Sequence, residues 1–555
     1  MPLILTDNWG HLFEMSGGDE AQLLNDTSRI KGKEALNRNI EAAEALSGAI
    51  RSTLGPKGLD KMLVSENGSV RITNDGVTVL KNAKIEHPIA KMLIDIATNQ
   101  ENTVHDGTTS SILLASELLQ NAWELYVKGI HPSIIANGYS LAYQKSTEVL
   151  ESLKINAEMS NLLEQVTKTA LSGKGDKSIQ ETLSRLSCEA ARGVSKSGKN
   201  GKIKANSNNV KIITQKGGGA TDSYLIEGLV LAKQACSPDM KRTHEKGKIM
   251  IIDGGIEMKK PSLTSKIMLS EPSMISAFKD KEQEIIARQI DDILKLKPDI
   301  LVCRDGIDDS AIRLLQINGV CAYRRVERDD LELLSRTCNA SIIASPANAK
   351  KKDLGTFETS DEENWLGVKH WILKGTKQSG MTFVIRGSTD ILLQEIETSF
   401  SDALGVACQI LEDGAVLPGG GATQMALSRK LKKWAEEFEG RESLAILAYA
   451  DALEIIPRTL SINGGFDPID QILALNAAQA SANPKIADLL GININNGTIC
   501  NMYDLGIIES VQNHQQCLAG STAAAISILR IDDVLWAKND PTFPEGIGEE
   551  DLEND

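Results

Sequence analysis

The residues best suited to chemistry in this chain sit in short glycine-bearing loops. HDGTTS at 105–110 sets Asp106, Gly107 and the hydroxyls of Thr108, Thr109 and Ser110 at the start of an apolar-periodic run, SSILLASELLQNAWEL. At a helix N-terminus the unpaired N–H groups and the dipole favour an anion, and a carboxylate beside them can hold a divalent cation. The cluster therefore suits phosphate with Mg2+, although a generously capped helix accounts for the same residues equally well. LPGGGA at 417–422 opens another helical run, and glycines such as Gly420 and Gly421 let a ligand approach the backbone closely. TLGPKG at 53–58 exposes backbone N–H groups of Gly55 and its neighbours beside Lys57, but on its own reads as a helix-ending turn. NDGVT at 74–78, between the alternating apolar residues Val70, Ile72, Val77 and Val79, reads on its own as a hairpin turn. Asp402, in SFSDA, is a single carboxylate in an otherwise apolar helical register. The nearest approach to a Walker A loop, GVSKSGKN at 193–200, lacks the final hydroxyl residue and follows a helical pattern, so it fails as a phosphate loop.

These loops need elements to hold them. Helical periodicity covers 34–51, then Ile89 to about Val104, Thr108 to Val127 and His131 to Leu153, with a short β-type stretch from Val70 to Leu80 between. From about 156 to 224 the composition turns to Lys, Ser, Gly and Asn. From 225 to about 370 short apolar runs (IMIID at 249–253, DILVC at 299–303, ASIIA at 340–344) alternate with helical patterns, as in an α/β unit. TFVIRG at 382–387 is a further strand, and 388–480 returns to helices rich in Ala and Leu. The order is helical, mixed, α/β, mixed, helical. That symmetry points to one domain built from both chain ends with others inserted into it. No repeat of 20–50 residues is visible, which argues against a solenoid.

Bulk properties narrow the function classes. The chain has 555 residues, a net charge of −15, 41% hydrophobic residues and only 4% aromatics. Such a composition builds large cores but lacks the basic stripe and stacking platform of a nucleic-acid binder. No apolar run is long enough to cross a bilayer, and the N-terminal stretch lacks a basic leader, so neither a membrane nor export is expected and the cytoplasm is the expected compartment. The eight cysteines are scattered without a C-x-x-C pair, as buried small residues of a reducing compartment would be. The tail from Pro541 places six acids in its last eleven residues, a solvated segment.

Taken together and in order, TLGPKGLDKML (53–63), ITNDGVTVL (72–80), HDGTTS (105–110), ETSFSDAL (397–404), LPGGGAT (417–423) and LRIDDVL (529–535) resemble the group II chaperonins, the archaeal thermosome and the eukaryotic cytosolic TCP-1 ring complex. The resemblance runs from about residue 25 to 538. It implies a multidomain α and α/β chaperonin fold. An ATP-binding, mainly helical equatorial domain would comprise 1–155 and 404–555, and a small α/β intermediate hinge domain 156–224 and 372–403. An α/β apical client-binding domain would span 225–371, with a helical lid protrusion at about 262–295. Met274, Ile275 and Phe278 become candidates for the protrusion's apolar tip, while Ile285, Ile286 and Ile290 read as packing against its own helix.

The resemblance also assigns roles. Gly55 and Pro56 would contact phosphate, with Gly107, Thr108, Thr109 and Ser110 around it, and Asp106 would hold Mg2+. Asp402, with Asp75, would polarise the attacking water. Gly420 and Gly421 would pass over the nucleoside, Glu509 would face its ribose, and Lys174 would sense the γ-phosphate. The implied cofactors are ATP and Mg2+. The implied partners are unfolded client proteins and like subunits, identical or not, in two stacked rings, usually of eight. The function implied is ATP-driven lid closure and folding of encapsulated proteins; the competing reading is a structural subunit of a mixed ring with vestigial ATPase activity. A small-molecule kinase would need an acceptor site, and none is visible. The chain departs from the family pattern at His105 (usually Gly), at Gln424 (usually acidic) and at Ala523 (usually Glu). It departs again over 509–514, where E-P-x-x-V-K becomes Glu509, Ser510, Val511, Gln512, Asn513 and His514.

Overall fold

The computed structural model describes residues 27–65, 68–83, 87–156, 159–197, 203–257, 272–365, 367–376 and 380–537. Helix Gly32–Ile50 turns Leu36, Ile40, Ala43, Leu46 and Ile50 to one side, the spacing that 3.6 residues per turn requires, and all five are buried. Helices Pro88–Val104, Thr108–Val127 and Pro132–Leu153 follow the periodicity read from the sequence. They share a buried cluster with Leu417, Leu427, Tyr449, Leu518 and Ile528 from far along the chain. Strand Thr27–Lys31 pairs antiparallel with Asp533–Ala537, so the two ends of the described chain lie side by side.

A second cluster contains Leu162, Leu183 and Ala190 with Phe383, Phe400 and Ile410. It is built from helices Met159–Ala170, Lys177–Val194 and Asp390–Asp413 and from a sheet in which Met381–Gly387 lies between Val210–Lys216 and Tyr224–Glu227. Helix Asp390–Asp413 runs without a break through residues 403 and 404.

The third cluster surrounds a seven-stranded sheet. Gly247–Ile252 and Ile300–Cys303 pair in parallel at its centre, and Ile342–Ile343 pairs with the former. Residues 300–303 are all buried, which is why they read as a continuous apolar run. The hairpin Gly355–Trp365 with Val368–Gly375 extends the sheet. Its first strand carries Glu358, Asp361, Glu362 and Glu363, so it gives no apolar run to read.

One local expectation is corrected. Asn74, Asp75 and Gly76 do not form a hairpin turn between strands. Strand Val70–Thr73 ends, and Asp75 caps helix Gly76–Asn82 by accepting from Thr78 N–H at 2.7 Å. Val77, Val79 and Leu80 are buried helical residues whose alternation imitates a strand. The strand that precedes them instead pairs back onto Lys61–Val64, through a turn at Gly68 whose φ is +78°.

Six of the eight cysteines are buried. Among the described residues no helix is long and apolar enough to cross a membrane. Helix Pro272–Leu296 lies in the segment expected to form the protrusion. On it Ile286 and Ile290 are buried in the third cluster, against the sheet rather than only against their own helix, and Ile285 is 42% exposed. Residues 258–271, the side chains of Met274, Ile275 and Phe278, and the acidic tail lie outside the described residues.

Candidate functional site

The sequence-predicted loops meet around one cavity of about 570 Å³. Helix Pro88–Val104 stops because His105 adopts a left-handed conformation (φ +59°). After Gly107, also left-handed (φ +77°), helix Thr108–Val127 begins, so the N–H groups of its first turn face the cavity without intrahelical acceptors. Asp106 accepts from Gly107 N–H through Oδ1 at 2.7 Å. Burial pushes the Asp106 carboxyl up to about 6, and the charge of Glu509 adds to this, while Lys174 and the Gly107 N–H pull it back.

The opposite wall is helix Asp390–Asp413. Asp402, buried on it, forms an ion pair with Lys174 of the segment between helices Met159–Ala170 and Lys177–Val194. Burial disfavours the Lys174 ammonium, but Asp402, Asp75 and Asp106 more than offset this and hold its pKa above the ordinary lysine value. Glu101 also reaches Asp402. Burial, then the charges of Asp402 and Asp75, raise its carboxyl well above the ordinary carboxylate range, which favours the protonated form that can donate to Asp402. His105 leans on the same helix: a Cβ added at Gly405 would stand 2.1 Å from its Cδ2, so the missing side chain makes room for the ring. Burial lowers the His105 pKa, against the pull of Asp402.

The remaining walls come from the other loops. Gly55 (φ +86°) and Pro56 line the cavity after the turn Arg51–Thr53, whose carbonyls at Arg51 and Leu54 are held by Asn463 Nδ2 at 3.0 and 2.8 Å. Lys57 does not line it; its Nζ reaches the Gly464 carbonyl at 3.2 Å and lies over the Phe466 ring. Gly420 lines the cavity between strand Ala415–Pro418 and helix Ala422–Ala435. Gly421 does not: a Cβ there would stand 2.6 Å from Pro457 Cβ, so this glycine serves packing. Glu509 lines the cavity and meets His514 Nε2 at 2.9 Å through Oε2. Of the predicted residues, Asp75, Asp106, Asp402, Gly55, Pro56, Gly107, Thr108, Thr109, Ser110, Lys174, Gly420 and Glu509 line one cavity and Gly421 stands apart.

Sequence reading missed Glu101 and Gln100, two polar residues in the last turn of helix Pro88–Val104. The available signal was Gln100 itself, which falls among the buried positions of an apolar face. Gln424 also lines the cavity, with its Oε1 buried and no partner among the described residues. Ala523 is exposed on the outer face of its helix.

The chemistry of the lining is acidic. Six carboxyl side chains (Asp75, Glu101, Asp106, Asp402, Asp504 and Glu509) face two lysines, Lys168 and Lys174. A polyanion entering such a cavity needs accompanying positive charge, and Asp106, its carboxyl raised by burial and by a neighbouring carboxylate, would gain from a cation beside it. The residues present therefore fit a divalent cation carried in with phosphate.

Residues 46–539 match the TCP-1/cpn60 chaperonin family. The chain is 38% identical to a thermosome subunit of Methanopyrus kandleri over 530 residues, 94% of this chain and 96% of that protein. It is 37% identical to the thermosome subunit beta of Methanothermobacter thermautotrophicus, over 94% of this chain and 96% of the relative. Against the thermosome subunit alpha of Archaeoglobus fulgidus the identity is 37%, over 95% and 97% of the two chains. The chain belongs to the TCP-1/cpn60 chaperonin family, as a group II chaperonin subunit.

Proposed function

From that membership we propose that the chain is an ATP-hydrolysing subunit of a double-ring chaperonin that closes over unfolded proteins. The observation that carries the proposal is the meeting of Asp106, Lys174, Asp402 and Gly420 at one cavity, although they come from four separate parts of the chain. In this reading the helix start Thr108–Ser110 and the Gly55 loop bind the phosphates through backbone N–H groups. Asp106 would hold Mg2+, which neutralises charge on the transferred phosphoryl group when bound. Among the described residues no three His, Cys, Asp or Glu side chains form a metal-holding group, so phosphate oxygens and water would complete the coordination.

In this reading Asp402 orients water for in-line attack. Here its carboxylate is engaged by Lys174 and Glu101. A terminal phosphate would draw Lys174 toward itself and release Asp402 for water, so turnover would wait on the arrangement of helix Asp390–Asp413 against the Asp106 loop. The proposed partition assigns 1–155 and 404–555 to an equatorial domain, 156–224 and 372–403 to a hinge and 225–371 to an apical domain. Closure would then couple the cavity to a lid formed by the segment around 262–295. The cavity's acidic lining supports ATP with Mg2+ as the working ligand, and the family supports rings of like subunits acting on unfolded clients in the cytoplasm. Imaging the purified protein with and without Mg-ATP tests the proposal: double rings that close on nucleotide are expected, and particles that stay monomeric or do not respond would overturn it.

A further inference from the structure

The donor on the outer oxygen of Asp106 comes from a distant part of the chain. Asn513, buried in the first turn of helix Val511–Leu529, donates from Nδ2 to Asp106 Oδ2 at 3.0 Å. The direction of this amide is fixed by its neighbours. Gln100 Nε2 donates to the Asp106 backbone carbonyl at 2.9 Å, and a carbonyl can only accept, so the NH2 end of Gln100 must point this way. The same NH2 donates to Asn513 Oδ1 at 2.8 Å, which turns the Asn513 NH2 toward the carboxylate. Gly107 leaves the room: a Cβ there would stand 2.1 Å from Asn513 Oδ1.

We infer that Asn513, oriented by Gln100, is a positioning residue that holds the Asp106 carboxylate ready for the Mg2+ of a bound nucleotide. The inference rests on the reading of Asp106 as the Mg2+ holder. An amide suits this task better than a lysine, because it donates a hydrogen bond without a charge that would compete with the metal for the carboxylate. A carboxylate offers about four lone-pair directions. Gly107 N–H and Asn513 take two, leaving one on each oxygen for a cation.

The test is calorimetric titration of the purified full-length protein with ADP, from chelator to millimolar Mg2+. Wild-type affinity should rise with Mg2+. Asn513→Leu, which keeps the volume and removes the donor, should move the Mg2+ midpoint up about tenfold, the scale of one hydrogen bond to a charged group. Its ADP affinity in chelator should stay within about twofold of wild type. Gln100→Leu, which frees the Asn513 amide to turn, should move the midpoint the same way by about threefold and carries the test alone if the first variant does not fold. An unmoved midpoint, or an equal loss of affinity with and without Mg2+, would overturn the inference. A wild-type affinity indifferent to Mg2+, or an Asp106→Asn variant with an unmoved midpoint, would overturn the reading of the site as well. A midpoint that responds to Asp106 and not to Asn513 would overturn the inference alone.

Discussion

The two walls of the cavity are held in different ways. The Asp106 loop is tied by hydrogen bonds from the uncharged donors of Gly107, Asn513 and Gln100, the last two buried. The Asp402 wall is attached across the cavity by a charged pair, the raised carboxyl of Glu101 and a ring seated on a glycine. These contacts fall at Asp402, Gly405 and Gln409, one face of helix Asp390–Asp413, with Gln409 Nε2 donating to the Thr103 carbonyl at 2.9 Å. The helix's other residues, such as Phe400, Leu404 and Ile410, pack into the second cluster. The first wall is thus held by hydrogen bonds within its own surroundings, and the second meets it through one face of a single helix. In the proposed function, the first would be a binding wall and the second a turnover wall.

Breaking the charged attachment should have the largest effect on stability. Lys174→Ala leaves the buried Asp402 uncompensated and is expected to cost about 3 kcal/mol, read from denaturant midpoints. Adding Asp402→Ala should recover most of that loss, because it removes the stranded charge. Next come two glycines that separate the walls. Gly405→Ala should cost roughly 1–3 kcal/mol through its clash with His105, and His105→Gly should cancel the cost. Gly107→Ala should cost about as much, through its positive φ and its approach to Asn513, and His105→Gly should leave that cost in place. Rescue of both glycine variants by His105→Gly would merge the two walls into one.

The smallest effect is a pH dependence. Burial and the charges of Asp402 and Asp75 raise the folded Glu101 carboxyl above the 4.5 of the free group, so above that pH the folded chain binds more protons than the unfolded chain. Stability from this group is complete below about 4.5 and is lost as pH rises toward the raised pKa of the folded group. Glu101→Gln should abolish the dependence, melting a few degrees above wild type at pH 8 and not at pH 4.5. A melting difference that does not change with pH would contradict the raised Glu101 carboxyl.

How far the sequence could be read depended on the range of the signal. Helices such as Thr108–Val127 were legible because their periodicity is local, and the strand Ile300–Cys303 because it is buried on both faces. Asp75 and Gly76 were misread as a hairpin because buried helical residues after them alternate as a strand would. The polar strand Gly355–Trp365 gave no apolar run. In the site, glycines and hydroxyls made the loops at 105–110 and 417–422 stand out, while Gly55, Asp75, Asp402, Lys174 and Glu509 were assigned through the family resemblance. The contact of Asn513 with Asp106 joins positions 407 residues apart, and no local pattern encodes it. Gly421 stood beside Gly420 in one motif, and only the packing against Pro457 separates their tasks.

The separation of binding from turnover is tested most directly by measuring phosphate release from Mg-ATP beside ADP affinity in the wild-type chain and in Asp402→Ala. The account predicts ADP affinity within about twofold of wild type and phosphate release lowered at least about 100-fold, the scale for losing a group that manages the attacking water's proton. Phosphate release at the wild-type rate, or a loss of affinity as large as the loss of turnover, would contradict it.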